Sequence, residues 1–419
     1  MLKKLKEIDE SNFFRNMLTM FSGVSIAQII TLLSIPILTR LFSPEEFGFI
    51  ALYLSIANIF GTISSGKYDL AIMIPKNDND AIKIFSGSIL IVITFSFVSL
   101  VSIIILKNIN TPISSFIAPN YFYFLPLSIL LIGSIKSFTQ WLNRKKDFPY
   151  LAKTHIVQNG TASTVKLSAG YFTSLGTWGL LLGNIAGQGI MFLSLLRKIL
   201  KKYKILIKKN FSKDIKTILI EHKNFPIFAM PMGFLNIISK DIMLYVLNIF
   251  FSTTTVGLYA NAQKVSNYPL FFITQAFTSV FYQRLSETQN KVKLYFWSYI
   301  INFLIASIAM IPIILWGERL FSFVLGKEWE IAGSIAKYLV PLTITSFATR
   351  NVINVFSLTK KNHLLLIWQC IYFILITAII FLTNKYGFNT MIFNFSVGGA
   401  ILYIILAFIG LKILLNKEK

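Results

Sequence analysis

Residues 84–106 read IFSGSILIVITFSFVSLVSIIIL, an uncharged run held between Lys83 and Lys107. At 1.5 Å per helical residue such a run is about 34 Å long, enough to cross the roughly 30 Å hydrocarbon core of a bilayer. A barrel strand would need only about ten residues and strict alternation of apolar and polar positions, which the run lacks. It therefore predicts a spanning helix. Working outward, runs of the same kind recur at 16–39, 47–64, 122–139, 150–172, 178–197, 224–249, 256–283, 294–316, 331–357, 364–383 and 389–411. Together they predict twelve spans, of which the fifth and tenth carry several polar residues.

The composition agrees. Of 419 residues, 55% are hydrophobic and 14% charged, and the mean hydropathy is +0.66. Soluble domains carry about 25% charged residues, so a water-soluble enzyme is excluded. Forty Lys and Arg against 17 Asp and Glu give a net charge of +23. In a soluble domain that balance would point to nucleic acid; here it points to cytoplasmic membrane loops. Counting Arg197 with the basic stretch that follows it, 28 of the 40 cations fall at the termini and even-numbered connections, 5 at odd-numbered connections and 7 inside spans. The positive-inside rule then places both termini in the cytoplasm. The N-terminal MLKKLKEIDESNFFRNM is too long and acidic for a signal-peptide n-region, so the first span is expected to be retained. Cys370 stands alone and His155, His222 and His363 are scattered, so neither a disulfide nor a metal cluster is expected.

The basic stretch RKILKKYKILIKKNFSKDIK (197–216) divides the chain nearly in half and reads as a linker attracted to anionic headgroups. This predicts an N-terminal lobe over 1–200, a cytoplasmic linker over 201–219 and a C-terminal lobe over 220–419. The halves also repeat. LFSPEEFGFIA (41–51) and FFSTTTVGLYA (250–260) align without gaps at an offset of 209, each after the first span of its half. Six spans per half makes the repeat parallel. The predicted fold is an all-α integral membrane protein with about twelve transmembrane helices in two six-helix lobes, related by a pseudo-twofold axis along the membrane normal around a central cavity, as in an alternating-access transporter.

A charge in mid-span needs a reason, because it costs about 2.5–3.5 kcal/mol on insertion scales. The spans hold Lys136, Lys153, Lys166, Lys240, Asp241, Lys264, Lys337 and Arg350, seven cations against one anion. His155, Gln158, Asn159 and Lys166 share one face of span five, which suits a wet cavity or polar neighbours, while Lys153 can snorkel. Span seven combines Pro226, Pro231 and Gly233 with Asn236, Lys240, Asp241, Tyr245 and Asn248. There Lys240 either faces a cavity or is held by Asp241 as a structural pair. Asn261, Lys264 and Asn267 follow a three-residue spacing in span eight, and Arg40 and Arg350 sit at span ends, as rim residues would. The predicted binding set is Lys240, Asp241, Lys264, Lys166, Asn236, Asn261, Gln158 and Asn159. Such a lumen attracts anions, and Tyr245, Tyr259 and Tyr268 would suit sugars, which together point to a bulky anionic glycolipid.

No GxxxxGK[ST] phosphate loop, serine nucleophile elbow or poised carboxylate pair occurs. The longest external connections, 107–121 and 317–330, are short for a membrane glycan polymerase or ligase. A multidrug cation antiporter would want several cavity carboxylates where only Asp241 is available. These two remain the alternatives, and an enzyme is not expected.

Four patches, ILTRLFSPEEFG (37–48), GKYDLAIMIPK (66–76), VGLYANAQKV (256–265) and FYQRLSE (281–287), resemble polysaccharide-biosynthesis flippases of the O-antigen (Wzx-type) branch of the multidrug/oligosaccharidyl-lipid/polysaccharide exporter superfamily. That resemblance implies a bacterial inner-membrane protein moving an undecaprenyl-pyrophosphate-linked oligosaccharide to the outer leaflet, without a cofactor. It further implies membrane lipids, a polysaccharide polymerase and a chain-length regulator as partners, and no nucleic acid. Arg40, Lys67, Tyr68 and Asp69 match its motif positions in the first half, and Gly257, Tyr259 and Arg284 in the second. The resemblance implies a helix-end turn at Ser43 to Gly48 and a gate near Lys67, Asp69 and Arg284; Lys240 and Asp241 match no fixed motif.

Overall fold

The computed structural model describes the backbone of residues 2–109, 120–210, 214–287, 290–350, 353–359 and 361–418. Side chains are described for these except 2–19, 21, 205–210, 271–287, 354, 357, 358, 362, 417 and 418. The described residues contain no strand and form twelve long helices. In chain order they are α1 (Leu2–Leu41), α2 (Pro44–Ile63), α3 (Asp78–Asn108), α4 (Leu125–Arg144), α5 (Phe148–Phe172) and α6 (Thr177–Asn210). There follow α7 (Met230–Phe250), α8 (Thr253–Glu287), α9 (Lys291–Leu325), α10 (Glu330–Thr349), α11 (Asn362–Thr383) and α12 (Phe388–Glu418). Each corresponds to one predicted span. Ten are long and apolar enough to cross a membrane; α5 and α8 are long enough but too polar.

Local chemistry sets the helix boundaries. At α2 the Ser43 N–H donates to Glu46 Oε2 (2.7 Å) while Ser43 Oγ accepts from Glu46 N–H (3.3 Å), a reciprocal capping box followed by Pro44 in the first turn. Asn77 Oδ1 caps α3 through Asp80 N–H at 2.7 Å, and Asn290 caps α9 through Lys293 N–H at 3.1 Å. Before α7, Phe225–Ala229 form a wider π turn. Pro231 has no N–H to bond back one α-turn, so the backbone there widens rather than continuing a regular ladder.

The chain separates into two compact units. Unit 1 comprises residues 1–41 and 53–237, and unit 2 comprises 42–52 and 238–419, so α2 and α7 each contribute to both. In unit 1, α5 lies between α1 and α6. Small residues bring these helices together: a Cβ on Gly23 would collide with Ala152, and one on Gly187 would lie 2.7 Å from the Gln158 carbonyl. That close packing accounts for the polarity of α5, whose Ser163 bonds to Ser34 at 3.3 Å. The unit's core gathers Ile82, Phe85, Phe138, Trp141, Leu142, Leu151 and Leu195.

In unit 2, α9 packs on α10, and α10 and α11 on α12. Gly317 and Gly333 face each other across the α9–α10 crossing, and beside it Glu318 accepts from Ser334 (2.9 Å) and pairs with Lys337 (3.2 Å). The outer surfaces of both units are apolar, with Phe323 85% exposed, as expected where lipid is the solvent.

The sequence repeat is realised as a symmetric crossing within unit 2. A Cβ on Gly48 would strike the Thr253 carbonyl and lie 2.9 Å from Thr253 Cγ2; one on Gly257 would strike the Pro44 carbonyl and lie 2.8 Å from Gly48 N. Positions 44 and 253, like 48 and 257, are 209 residues apart, so each repeat offers the same glycine to the same carbonyl of the other. Gly48→Val and Gly257→Val are each expected to lower stability by roughly 1–3 kcal/mol through overpacking. Gly160→Ala and Gly189→Ala, with nothing within 4 Å of the added carbon, should leave the melting temperature in detergent unchanged.

Candidate functional site

Unit 2 brings charged and aromatic residues from five helices into one circuit. Lys240 and Asp241 adjoin on α7, Tyr259 lies on α8, Arg350 ends α10, Tyr372 lies on α11 and Tyr403 on α12. The charges of Arg350 and Asp241 both act on Lys240, and that of Asp241 also reaches Tyr259. Tyr259 and Tyr403 lie within electrostatic range of Tyr372, and Tyr403 within that of Arg350, closing the circuit. Two cations face one carboxylate, leaving a net charge of about +1 with the tyrosines neutral.

An aromatic floor adjoins these charges. Trp368, Tyr372 and Tyr403 pack in a triangle with ring centroids 5.1, 5.3 and 5.6 Å apart, and Trp368 Nε1 donates to the Leu402 carbonyl at 3.2 Å. The indole N–H is thereby spent on the backbone, which fixes the ring plane. Arg350 lies 5.9 Å from the Phe347 ring centroid. Among the described residues, Tyr259 Oη and Asn261 Nδ2 are buried without a hydrogen-bond partner. An unmet buried polar group costs about 1–3 kcal/mol.

The predicted residues divide between the units. Lys240, Asp241, Asn261, Lys264 and Arg350 lie in unit 2; Gln158, Asn159, Lys166, Asn236, Arg40, Lys67 and Asp69 lie in unit 1. Lys240 and Lys264 expose part of their side chains in the middle of their helices although their ammonium groups lie deep among protein atoms, as in a recess, and among the described residues neither forms an ion pair. Asp241 is half-buried, and Asn261 is only 2% exposed. In unit 1, Lys166 donates to Asn184 Oδ1 at 2.9 Å, and Gln158, Asn159 and Asn236 are half-buried. Arg40 is exposed and donates to the Pro36 carbonyl of its own helix at 2.7 Å. Lys67 is half-buried, whereas Asp69 is buried and accepts from Ser65 Oγ at 2.6 Å. The Arg284 side chain lies outside the described residues.

Trp368, Tyr372 and Tyr403 are the site residues that sequence reasoning missed. They sit in two of the most apolar helices, where an aromatic side chain reads as packing. The available signal is the four-residue spacing of Trp368 and Tyr372, which puts both on one face of α11. The chemistry on offer is binding: cations for an oxyanion and flat rings for sugar faces. No group of three His, Cys, Asp or Glu suited to a metal occurs among the described residues.

Residues 37–333 match the family model described as Polysaccharide biosynthesis protein. No curated protein matches. Among solved structures the chain is similar to a MOP superfamily transporter from Pyrococcus furiosus, described as having a binding pocket of reverse polarity that suggests a different function. That likeness is 14% identical, covers 96% of each chain and has a TM-score of 0.65. A MATE structure in complex with MaL6 is 14% identical over 96% of this chain and 97% of that one, with a TM-score of 0.67. An inward-facing multidrug resistance MATE family transporter is 13% identical over 96% of each chain, with a TM-score of 0.66. These likenesses establish a shared fold, all-helical with twelve helices in two lobes.

The exposure of Lys240 and Lys264 makes a direct prediction. Cysteine at either position should react with a charged, membrane-impermeant maleimide at least about tenfold faster than cysteine at buried Leu247, because the reactive thiolate needs water. Mass spectrometry of the labelled protein in detergent reads the rates.

Proposed function

Because this chain belongs to the polysaccharide biosynthesis protein family, we propose that it is a flippase carrying an undecaprenyl-pyrophosphate-linked oligosaccharide from the cytoplasmic to the outer leaflet of the bacterial inner membrane by alternating access. The observation that carries the reading is the circuit of Lys240, Asp241, Tyr259, Arg350, Tyr372 and Tyr403. Lys240 and the planar guanidinium of Arg350 hold the diphosphate, the latter through paired N–H donors. The Trp368–Tyr372–Tyr403 triangle takes the face of a sugar. Asp241 moderates the positive field, so the anion binds weakly enough to leave. The polyprenyl tail stays in lipid along the apolar outer faces.

Both termini lie in the cytoplasm, on the charge asymmetry of the connections. An anion moving outward across an inside-negative membrane gains about 2.3 kcal/mol per charge per 100 mV, so the potential can drive the step without a nucleotide site. A cation antiporter fits less well, since the circuit carries two cations for one carboxylate. The reading describes a carrier rather than an enzyme, with membrane lipids, a polymerase and a chain-length regulator as partners.

The test is complementation of a strain lacking its O-antigen flippase, supplied with the matching sugar-assembly genes. Restored surface polysaccharide and clearance of the lipid-linked intermediate are expected. Lys240→Ala and Arg350→Ala, at normal membrane abundance, should each reduce display by at least about tenfold, since breaking a close charged contact costs about 2–5 kcal/mol. Accumulation of the intermediate despite good expression of the unmutated chain would reject the reading.

A further inference from the structure

Part of the stretch that joins the two halves of the chain docks on unit 1. Residues Ile215–Glu221 form a seven-residue helix, too short to persist alone, so its order depends on what it packs against. Its seat is Gly87 of α3, where an added Cβ would lie 3.0 Å from Leu219 Cδ1 and 3.1 Å from Ile215 Cγ2. Ile218, 7% exposed, enters the core of unit 1. At the start of this helix Asp214 pairs with Lys83 of α3 at 3.5 Å. At its end His222 Nδ1 donates to the Ile218 carbonyl at 3.0 Å, and the Tyr68 hydroxyl donates to the Leu219 carbonyl at 2.9 Å. The last carbonyls of a helix lack partners within it, so Tyr68 acts as a cap supplied from 151 residues away in sequence.

Tyr68 belongs to a second segment held against the first. Gly66 and Lys67 turn the chain into the short helix Tyr68–Ala71, both with left-handed backbones, φ 61° and 60°. Glycine adopts this conformation freely; lysine does so only where its surroundings hold it. A Cβ on Gly66 would lie 3.3 Å from the Tyr68 ring and 3.8 Å from Pro226 Cβ, five residues past the linker helix. Tyr68, Ala71 and Ile72 enter the same core as Ile218. From Ile72 onward the chain is held differently. Arg144 at the end of α4 donates to the carbonyls of Ile72, Lys76 and Asn77 at 3.2, 3.3 and 3.0 Å and pairs with Asp78. Residues 66–71 thus lean on the linker, whereas 72–78 are fastened by Arg144.

Each polar fastening of the linker is one that water can replace. Lys83 lies 3.5 Å from both Asp80 and Asp214, so it keeps a carboxylate whether or not the linker is docked. Asp214 is 67% exposed, and the Tyr68 hydroxyl and the Leu219 carbonyl would both hydrate on parting. Undocking therefore strands no buried charge. We infer that residues 214–226 are a strap closing over residues 66–71, and that the two segments lift from α3 as one cooperative unit while 72–78 stay in place. The stretch that joins the halves thereby sets the order of the left-handed turn at Gly66 and Lys67. The inference rests on contacts within unit 1 and not on the flippase reading.

The test is amide hydrogen exchange of the full chain in phosphatidylcholine nanodiscs, read peptide by peptide in a mass spectrometer. Tyr68→Phe removes the cap and should speed exchange in 215–224 and in 66–71 by the same factor, at least about threefold, with 72–78 and α3 unchanged. Added salt should loosen both segments through the exposed Lys83–Asp214 pair, and should do so no longer in Asp214→Asn. Gly87→Cys with Leu219→Cys, in a chain carrying Cys370→Ser, supplies the opposite arm. Oxidation should join the two cysteines and slow exchange in both segments below the parent's rate, and reduction should reverse it. Gel filtration and the exchange of α3 check that each variant is folded. Faster exchange in 215–224 alone, or a disulfide that slows 215–224 and leaves 66–71 unchanged, overturns the shared unit. Failure of the two cysteines to join in a folded chain overturns the docked strap. None of these readouts needs transport, so loss of the flippase reading would leave the strap standing.

Discussion

A charge carried into the hydrocarbon layer costs about 2.5–3.5 kcal/mol unless something in the protein or a wet surface receives it. This chain carries several, nearly all positive, and how each is received organises the structure around it. Lys337 is received by Glu318 and Lys166 by Asn184, and both stand beside glycines, Gly317 and Gly183, that bring the partner helix close. Among the described residues the Lys136 ammonium is received only by Thr62, and the Lys67 ammonium by no hydrogen bond or ion pair. Lys240 shares a field with Arg350 and a single carboxylate. The cations therefore divide into those the fold neutralises and those it leaves available, and the available ones suit an anionic cargo.

Close helix packing makes these arrangements possible. Without a hydrophobic driving force between helices in lipid, association relies on small residues and on hydrogen bonds between helices. Gly48 and Gly257 bring α2 and α8 to backbone contact at matching positions of the repeat, while Gly23 and Gly187 do the same around α5. Tyr53 bonds to Ser128 and Ser88 to Ser137, linking helices of unit 1 through hydroxyls instead of charges. These contacts give the lysines fixed surroundings, so that Lys67 can be held in a left-handed backbone and aimed at Gly233.

Much of this was legible in the residues. The uncharged run between Lys83 and Lys107 is a spanning helix whatever its neighbours do, because an unpaired backbone cannot sit in hydrocarbon. The same logic located all twelve long helices, including α5 and α8, whose composition alone falls short of a spanning segment. Lys240, Asp241 and Arg350 were identifiable one by one as charges out of place. Their meeting was not, since Arg350 is over a hundred residues away from the other two in sequence. Tyr372 and Tyr403 were hidden for a different reason: an aromatic ring in an apolar helix carries no cost that marks it as special.

The sequence by itself determined the all-helical membrane fold, the span count, the repeat at an offset of 209 and the surplus of intramembrane cations. These follow from hydropathy, periodicity and charge, which are local properties of the chain. Only the tertiary structure decided which cations are paired and which are left open. It also decided that the repeated glycines meet, and that Trp368, Tyr372 and Tyr403 form one surface beside Arg350. Pairing depends on distances between helices remote in sequence, and those distances are set by which helix carries a glycine at the crossing, a property of two segments together that neither encodes alone.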